Sequence, residues 1–201
     1  INNKYLEIKY INEHSTKITF VEIFLDDVYK LAWIKKISNK NKFQIKSIID
    51  IGANCGFTSL AARSYFPHST IHSYEPNYEI IDILKHNSIV GNFSYFDEAI
   101  GGENKKVKLE LKKGNSVLAN VLPEKEGTVR QITIQDAINK IKSDTIDIVK
   151  MDCEGSEWEI LENIDVWKKV KFITMEYHLG YNNFDHNRIK KVMERIGFEI
   201  I

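Results

Sequence analysis

The first part of the chain shows two kinds of hydrophobic spacing. Apolar and polar residues alternate over residues 5–10 and again over 17–20, with a polar stretch at 12–15 between them. Alternation with a period of two is typical of half-buried strands, so these segments predict a hairpin. Over 24–37 the apolar residues recur at helical spacing, which predicts a helix. We therefore expect residues 1–45 to form a hairpin and helix extension ahead of the main domain.

Residues 46–201 show the rhythm of a single α/β domain. Apolar runs predict strands at 48–51, 70–74, 93–96, 145–151, 170–177 and 197–201. Helical spacing between them predicts helices at 57–66, 80–89, 137–141, 157–161 and 187–195. Alternating segments at 106–111 and 128–134 predict an inserted hairpin with a loop between its strands. Strands that alternate with helices indicate a three-layer αβα fold around a parallel sheet.

Composition and charge narrow the class of protein. The chain has 201 residues, 43% of them hydrophobic, which suits one domain with a packed core. Lys plus Arg and Asp plus Glu both number 28, and this zero net charge argues against a nucleic-acid surface. Two cysteines are too few for a disulfide framework, and no apolar run is long enough to span a bilayer. We expect a cytoplasmic protein without a membrane span.

Polar residues follow the first predicted strand at its carboxyl end, where open parallel sheets bind ligands. Asp50 lies in the strand, and Gly52, Ala53, Asn54 and Gly56 follow it. The glycines permit close approach of the backbone to a ligand. Their spacing matches neither the GxGxxG fingerprint nor a P-loop, which needs Gly-Lys-Ser/Thr. An acid at this position favours an amine-bearing or cationic ligand over a pyrophosphate.

Acids also stand at the ends of the next two strands. Glu75, followed by Pro76, ends the second strand, and an acid there can accept the hydroxyls of a ribose. Asp97, Glu98 and Ala99 end the third strand and offer a carboxylate for an exocyclic amine. Acids at three adjacent strand ends suit adenosine joined to an amino-acid sulfonium. The ligand that this pattern predicts is S-adenosylmethionine.

The sequence resembles the FkbM family of S-adenosylmethionine-dependent methyltransferases, within the Rossmann-like class I group. The resemblance covers about residues 20–201 and is specific only as a combination of segments. The segments are DIGANCGFTSLAA at 50–62, YEP at 74–76, EAIGG at 98–102, TIQDAI at 133–138, VKMDCEGSEWEIL at 149–161 and MEYH at 175–178. Two positions depart from the family pattern, Cys55 in place of a branched aliphatic and Asn163 in place of glycine. The resemblance implies methylation of a hydroxyl oxygen on a sugar, a glycan or a similar small molecule.

The resemblance also implies roles for the residues at the strand ends. Residues 52–54 would flank the methionine part of the cofactor, with Asp50 acting through the loop or a water. Glu75 would hold the ribose, and Asp97 or Glu98 with the backbone of Ala99 would hold adenine. Asp152 would face the methyl group from the end of the fourth strand. A seventh, antiparallel strand is implied as well. The chain ends within the predicted sixth strand; if the seventh is absent, the unpaired sheet edge would favour a homodimer.

Methyl transfer to a hydroxyl requires a general base within hydrogen-bond reach of the acceptor. Our first candidate is His178, just past the fifth predicted strand, and the second is Asp152. Glu154 and Glu157 are expected to orient the substrate, and Glu176 shares a strand face with His178. We expect no metal, because Cys55, Cys153 and His178 match no zinc spacing. A divalent ion held by Asp152 and other acids stays open.

Two other functions share these features. A nucleic-acid methyltransferase has the same cofactor domain, but no basic stripe is visible, and acids near the methyl group repel phosphate. A non-catalytic S-adenosylmethionine-binding module is the second alternative, and the acids near Asp152 argue against it. The acceptor is expected to contact the N-terminal extension, the 105–130 insertion and the 179–187 loop.

Overall fold

A computed structural model describes residues 6–112, 115–122, 127–178 and 185–201, and gives the backbone alone for 111–112 and 115–122. The helices in this part of the chain are α1 (His14–Phe24), α2 (Leu31–Lys40), α3 (Phe57–Tyr65), α4 (Ile81–Gly91), α5 (Ile134–Ile141), α6 (Glu157–Leu161), α7 (Ile164–Trp167) and α8 (His186–Ile196). None of them combines the length and the apolar character needed to cross a membrane. The strands are β1 (Ser47–Ile51), β2 (Thr70–Tyr74), β3 (Ser94–Phe96), β4 (Glu98–Gly101), β5 (Lys105–Lys112), β6 (Asn115–Leu122), β7 (Val129–Thr133), β8 (Ile146–Met151) and β9 (Val170–Met175).

The predicted N-terminal hairpin is wrong. Residues 6–13 have no regular structure, and the second predicted strand lies inside α1. Four alternating residues cannot distinguish a period of two from a period of 3.6, and the wider spacing of Thr16, Phe20, Ile23 and Phe24 is helical. Thr16 and Ile23 are buried. Phe20 and Phe24 pack against Phe57, with ring centroids 5.6 and 6.0 Å from it. Burial of this face against α3 stabilises a helix.

The helix predicted over 24–37 is divided in two. Asp27 and Lys30 adopt left-handed backbone conformations, which interrupt the helix between α1 and α2. The carboxylate of Asp27 accepts hydrogen bonds from the backbone N–H groups of Leu31 and Ala32, at 2.8 and 3.0 Å. An acid that satisfies free N–H groups at a helix start is a capping residue. The helical spacing of apolar residues continues across Asp27, so the sequence pattern did not reveal the break between the two helices.

The central sheet has the order β3-β2-β1-β8-β9, and all of its strands are parallel. It contains the five predicted strands from 48–51 to 170–177, although β9 already ends at Met175. The chain runs from β1 outward to β3 and then returns to the other side of β1 as β8. The carboxyl ends of β1 and β8 therefore form the switch point where open sheets bind ligands.

A second sheet with the order β4-β7-β5-β6 lies beyond the end of β3. The predicted pairing of the insertion is found, since β5 and β7 are antiparallel. The predicted loop between them, however, contains β6, which pairs with β5. The third predicted strand end is also corrected, because Glu98 and Ala99 belong to β4, parallel to β7.

The predicted sixth strand at 197–201 is wrong. Helix α8 ends at Ile196 with Gly197 as its C-cap, and the residues after it have no strand structure. Phe198 packs against the core from this irregular segment. A strand needs a pairing partner, and the part of the chain that the structure describes provides none for these residues.

The core lies in two layers on either side of the central sheet. One layer packs α1 to α4 against Ile48, Ile71 and Ile148. The other packs α5 to α8 against residues of opposite parity, such as Ile49 and Val149. Because successive strand residues face opposite sides, continuous apolar strands serve both layers. The three-layer αβα prediction is therefore confirmed.

Candidate functional site

A cavity of about 580 Å³ lies at the carboxyl end of the central sheet. Gly52, Glu75 and Asp152, which follow β1, β2 and β8, contribute to its lining. Residues of α1 and of the segment before α2 line it as well, as do residues of β4 and those after β9. The cavity thus coincides with the switch point of the sheet, where the fold favours ligand binding.

Most of the predicted site residues meet at this cavity. Those that line it are Gly52, Ala53, Asn54, Glu75, Pro76, Glu98, Ala99, Asp152, Glu154, Glu176 and His178. Predicted residues that do not line it are Asp50, Gly56, Asp97 and Glu157. Asp50 and Glu157 are buried behind the lining, Gly56 is the N-cap of α3, and Asp97 is exposed. Among the candidates for adenine, the structure therefore brings Glu98 and Ala99 into the cavity and leaves Asp97 outside.

The loop after β1 is held by its backbone. The N–H groups of Gly52 and Ala53 both donate to the carbonyl of Tyr74, at 3.0 Å each. Gly52 has a φ of +71°, and a Cβ atom there would lie 1.7 Å from the carbonyl oxygen of Asp152. Only glycine fits between these two strand ends. The loop and the segment after β8 are consequently in direct backbone contact.

Glu75 is buried and bonded to the same loop. Its carboxylate accepts hydrogen bonds from the backbone N–H groups of Asn54 and Asn77, at 2.8 Å each. Burial raises the pKa of Glu75 to about 7, against the opposing effect of these two hydrogen bonds. A carboxylate at this strand end, open to the cavity, can accept hydroxyl donors of a ligand.

Asp50 acts through Lys150, a residue that the sequence analysis missed. The two residues are register partners on β1 and β8, and Lys150 Nζ lies 3.3 Å from Asp50 Oδ1. Lys150 Nζ also donates to the carbonyl oxygens of Gly52 at 2.8 Å and Ile51 at 3.3 Å. Burial acts to lower the pKa of Lys150, but Tyr29, Asp50 and Asp152 outweigh it and raise the pKa. The sequence signal for this ion pair was a single lysine, Lys150, in one predicted apolar strand and a single acid, Asp50, in another.

Tyr29 is the second residue that was missed. It lies between α1 and α2, and its hydroxyl donates a 2.8 Å hydrogen bond to Asp152 Oδ2. Its ring lies 5.0 Å from Lys150 Nζ, and burial raises the pKa of its hydroxyl. Nothing in the local spacing marks Tyr29, because its role depends on a contact across 123 positions of sequence.

Glu98 has charged partners of its own. Its carboxylate is paired with Lys140, and Arg130 lies 3.2 Å from its second oxygen. Lys140 also lies 4.7 Å from the ring centroid of Phe96, which stacks on Tyr74. Of this group, Glu98 and Tyr74 line the cavity beside Ala99.

Carboxylates surround His178 at the other end of the cavity. The Nδ1 atom of His178 lies 3.3 Å from Glu157 Oε1, and Nε2 lies 3.3 Å from Glu154 Oε2 and 4.0 Å from Glu176 Oε1. Glu157 also accepts hydrogen bonds from the backbone N–H groups of Cys153 and Gly155. Trp158 Nε1 donates to the carbonyl of His178 and fixes the segment after β9.

These contacts set the protonation of the group. The hydrogen bond to Glu157 raises the pKa of His178 to about 9, with a further contribution from Glu154 against the effect of burial. Burial raises the pKa of Glu154 to about 7, although His178 opposes the shift. At neutral pH the ring of His178 carries a proton on each nitrogen and donates toward both carboxylates.

Comparison with known proteins identifies relatives of this chain. Two curated relatives match nearly the whole chain. Methyltransferase sdnD of Sordaria araneosa is 23% identical over 229 aligned residues, which cover 94% of this chain and 85% of the relative. Methyltransferase 1 of Beauveria bassiana (strain ARSEF 2860) is 23% identical over 225 aligned residues, which cover 97% and 82%.

A solved structure and a family model extend the comparison. The structure of the SAM-dependent methyltransferase from Agrobacterium tumefaciens superposes with a TM-score of 0.50 at 9% identity, over 87% of this chain and 51% of that one, which shows a shared fold. The model of the methyltransferase FkbM domain matches residues 50–200, most of the chain. The chain therefore belongs to the FkbM family of S-adenosylmethionine-dependent methyltransferases.

Proposed function

We propose that this methyltransferase transfers the methyl group of S-adenosylmethionine to a hydroxyl oxygen of a small molecule, such as a sugar or a glycan. The observation that carries the proposal is the group of carboxylates around His178, which lines the same cavity as the glycine loop. A hydroxyl is a weak nucleophile until a base takes its proton. Cofactor binding alone would not need this group.

The cofactor is proposed to lie along the strand ends of β1, β2 and β4. Residues 52–54 would hold the methionine part, and Lys150 and Asp50 fix that loop from behind through the carbonyl of Gly52. Glu75 would accept the ribose hydroxyls. Glu98 and the backbone of Ala99 would lie beside adenine, whereas exposed Asp97 has no part in this placement.

The methyl transfer itself is an in-line displacement. The acceptor oxygen attacks the methyl carbon, the carbon–sulfur bond breaks, and S-adenosylhomocysteine leaves. The protein aligns these atoms and accepts the hydroxyl proton. Both nitrogens of His178 face carboxylates. We therefore propose Asp152 or Glu154, rather than His178, as the proton acceptor. His178 and Glu157 then position Glu154.

Charge around the cavity favours a neutral or positively charged acceptor. Glu22, Asp152, Glu154 and Glu176 all line the cavity. Phosphate groups would be repelled there, which argues against the nucleic-acid alternative. Thr19, Ile23 and Val28 of the N-terminal segment line the same cavity and would contact the acceptor. The other two expected contact regions fall partly on residues 179–184 and on the side chains of residues 111–126, which are not among those that the structure describes. A cytoplasmic location and a homodimer stay predictions.

The test is formation of S-adenosylhomocysteine with a panel of hydroxylated acceptors, followed by NMR to locate the new methyl group. We compare Asp152→Asn with Glu154→Gln. The variant that removes the proton acceptor should lower turnover by about 10²-fold or more. Cofactor affinity, measured by calorimetry, should stay close to that of the unchanged chain. Glu162→Gln, at an exposed acid outside the cavity, serves as the control. A methyl group on nitrogen, or turnover with RNA alone, would contradict the proposal.

A further inference from the structure

We propose that Asp152, Glu154 and His178 form a binding site for a divalent transition-metal ion in this cavity. One ligand atom from each side chain can be chosen so that all three lie within 4.8 Å of one another. All three side chains are half-buried and line the cavity. Bond lengths of about 2.0–2.2 Å to a bound ion place its ligands at most about 4.4 Å apart, so a small movement completes the site.

Two separate segments bring the three side chains together. Asp152 and Glu154 lie in the turn after β8, where Glu154 has a φ of +53° and Gly155 a φ of +107°. His178 follows β9, the neighbouring strand. Oδ2 of Asp152 accepts the hydrogen bond from Tyr29, which fixes the orientation of that carboxylate. The site is therefore built on the ends of two paired strands.

The environment of His178 matches that of a metal-ligating histidine. Metal-bound imidazoles donate their second ring N–H to a carboxylate or carbonyl that fixes tautomer and orientation. Glu157 provides such a partner for Nδ1, at 3.3 Å, and is itself fully buried and held by two backbone N–H groups. Nε2 is left facing Glu154 and Glu176. This carboxylate–histidine pair is a feature separate from the group of acids itself.

Charge gives a second reason. The buried acids Asp50, Glu98 and Asp147 each pair with a lysine. Among the described residues, Glu154 pairs with His178 alone, and Glu157 shares that partner. Lys150 lies 3.9 Å from Asp152 and offsets part of its charge. A divalent ion would replace the proton on Nε2 of His178 and add positive charge beside Asp152, Glu154 and Glu157.

The ligand set selects the kind of ion. Two carboxylates and one imidazole suit Mn²⁺ or Zn²⁺, whereas Ca²⁺ takes oxygen ligands in larger number. We commit to Mn²⁺ as the probe, since it accepts both ligand types and is detected directly by electron paramagnetic resonance. The proposed metal site lies in the cavity of the proposed function and rests on that proposal. Ion binding, however, is measured without turnover.

The experiment titrates Mn²⁺ into chelator-treated protein. We expect one site per chain, weakened at least about tenfold in His178→Ala and in Glu154→Gln, and unchanged in Glu162→Gln. Ca²⁺ should compete poorly. Absence of binding to the unchanged chain, or equal Mn²⁺ affinity in all three variants, would overturn the site. Glu154→Gln is nearly isosteric and decides the question if His178→Ala does not fold.

Calorimetry with S-adenosylmethionine on the same chelator-treated sample separates the two proposals. Cofactor binding without Mn²⁺ binding rejects the metal site and leaves the proposed function standing. Mn²⁺ binding that depends on His178, together with no methyl transfer to any hydroxylated acceptor, rejects the proposed function and supports the site.

Discussion

The two ends of the cavity hold their acidic groups in different ways. At the proposed cofactor end, formed by residues 52–54 and Glu75, the carboxylate of Glu75 accepts hydrogen bonds from two backbone N–H groups at 2.8 Å. At the proposed acceptor end, formed by Tyr29, Asp152, Glu154 and His178, side chains pair mainly with other side chains. The ion pairs of His178 there have distances of 3.3 to 4.0 Å.

This difference follows from what fixes each group. Backbone donors are placed by the strands and by the loop between them, so the cofactor end is already formed before a ligand binds. At the acceptor end the partners are side chains with rotamers of their own, which position a group less firmly than backbone donors do, and the side chain of His178 is 23% exposed. We infer that the cofactor end is rigid, whereas the acceptor end is completed by a ligand or an ion.

The largest expected effect tests the rigidity of the cofactor end. Gly52→Ala places a methyl group 1.7 Å from the carbonyl oxygen of Asp152, in a backbone conformation that alanine disfavours. The strand ends must separate, so we expect a loss of about 4 kcal/mol or more in the free energy of unfolding, together with loss of cofactor binding. Urea denaturation and calorimetry measure the two effects.

Gly197→Ala is the matched control for this change. Gly197 also has a positive φ, of +88°, but a Cβ atom there meets nothing within 4 Å. Only the backbone cost remains, about 1 kcal/mol. Equal losses in the two variants would mean that the contact between Gly52 and Asp152 does not define the cofactor end.

The next effect concerns the ion pair between Asp50 and Lys150, which supports the loop at 52–54. Lys150→Met leaves the carboxylate of Asp50 buried without its cation, so we expect a loss of about 3–5 kcal/mol in the free energy of unfolding. Asp50→Asn combined with Lys150→Met should recover much of this loss. Lys171→Met is the control, because that lysine is half-exposed and its pair with Asp147 should be worth about 1 kcal/mol or less. Strict additivity in the double variant would refute the coupling.

The pH dependence of stability tests Glu75. Its pKa is about 7 in the folded chain and 4.5 without the fold. Between these values the folded state holds a proton that the unfolded state has lost, so stability falls as pH rises from 4.5 to 7. The contribution amounts to about 3 kcal/mol, lost across that window and constant above it.

Glu75→Gln should remove this slope. The measurement is the free energy of unfolding of both proteins across the same pH range, in which constant costs of the substitution cancel. A difference between the two proteins that does not change with pH would show that folding does not raise the pKa of Glu75. The cofactor end would then hold a preformed charge.

The same comparison explains what the sequence predicted. The loop at 52–54 and Glu75 lie within a single strand–helix–strand unit, so the spacing of residues within that unit was enough to predict their positions. The central strands and the packing helices were likewise predicted, because continuous apolar runs and helical spacing extend over five or more residues. Glu98 and Ala99 were placed at the cavity, although as a strand end rather than as part of β4.

Features that depend on distant contacts were not predicted. Tyr29 meets Asp152 across 123 positions, and Lys150 meets Gly52 across 98. The N-terminal hairpin failed because short alternating segments fit either period, and packing against Phe57 decides for a helix. The protonation of His178 depends on Glu157, whose burial cannot be read from spacing alone.

The smallest effect tests how firmly the acceptor end is held. Tyr29→Phe removes only the hydroxyl that donates to Asp152, so the free energy of unfolding should fall by about 1 kcal/mol and cofactor affinity should stay unchanged. Turnover should fall by about tenfold, because a carboxylate that can rotate spends less time aligned with the acceptor. Stopped assays of S-adenosylhomocysteine formation at saturating acceptor measure kcat separately from KM. If stability falls by the expected amount but kcat does not change, the hydrogen bond only supports the fold, and Asp152 is held in place by the Gly52 loop rather than by the N-terminal segment.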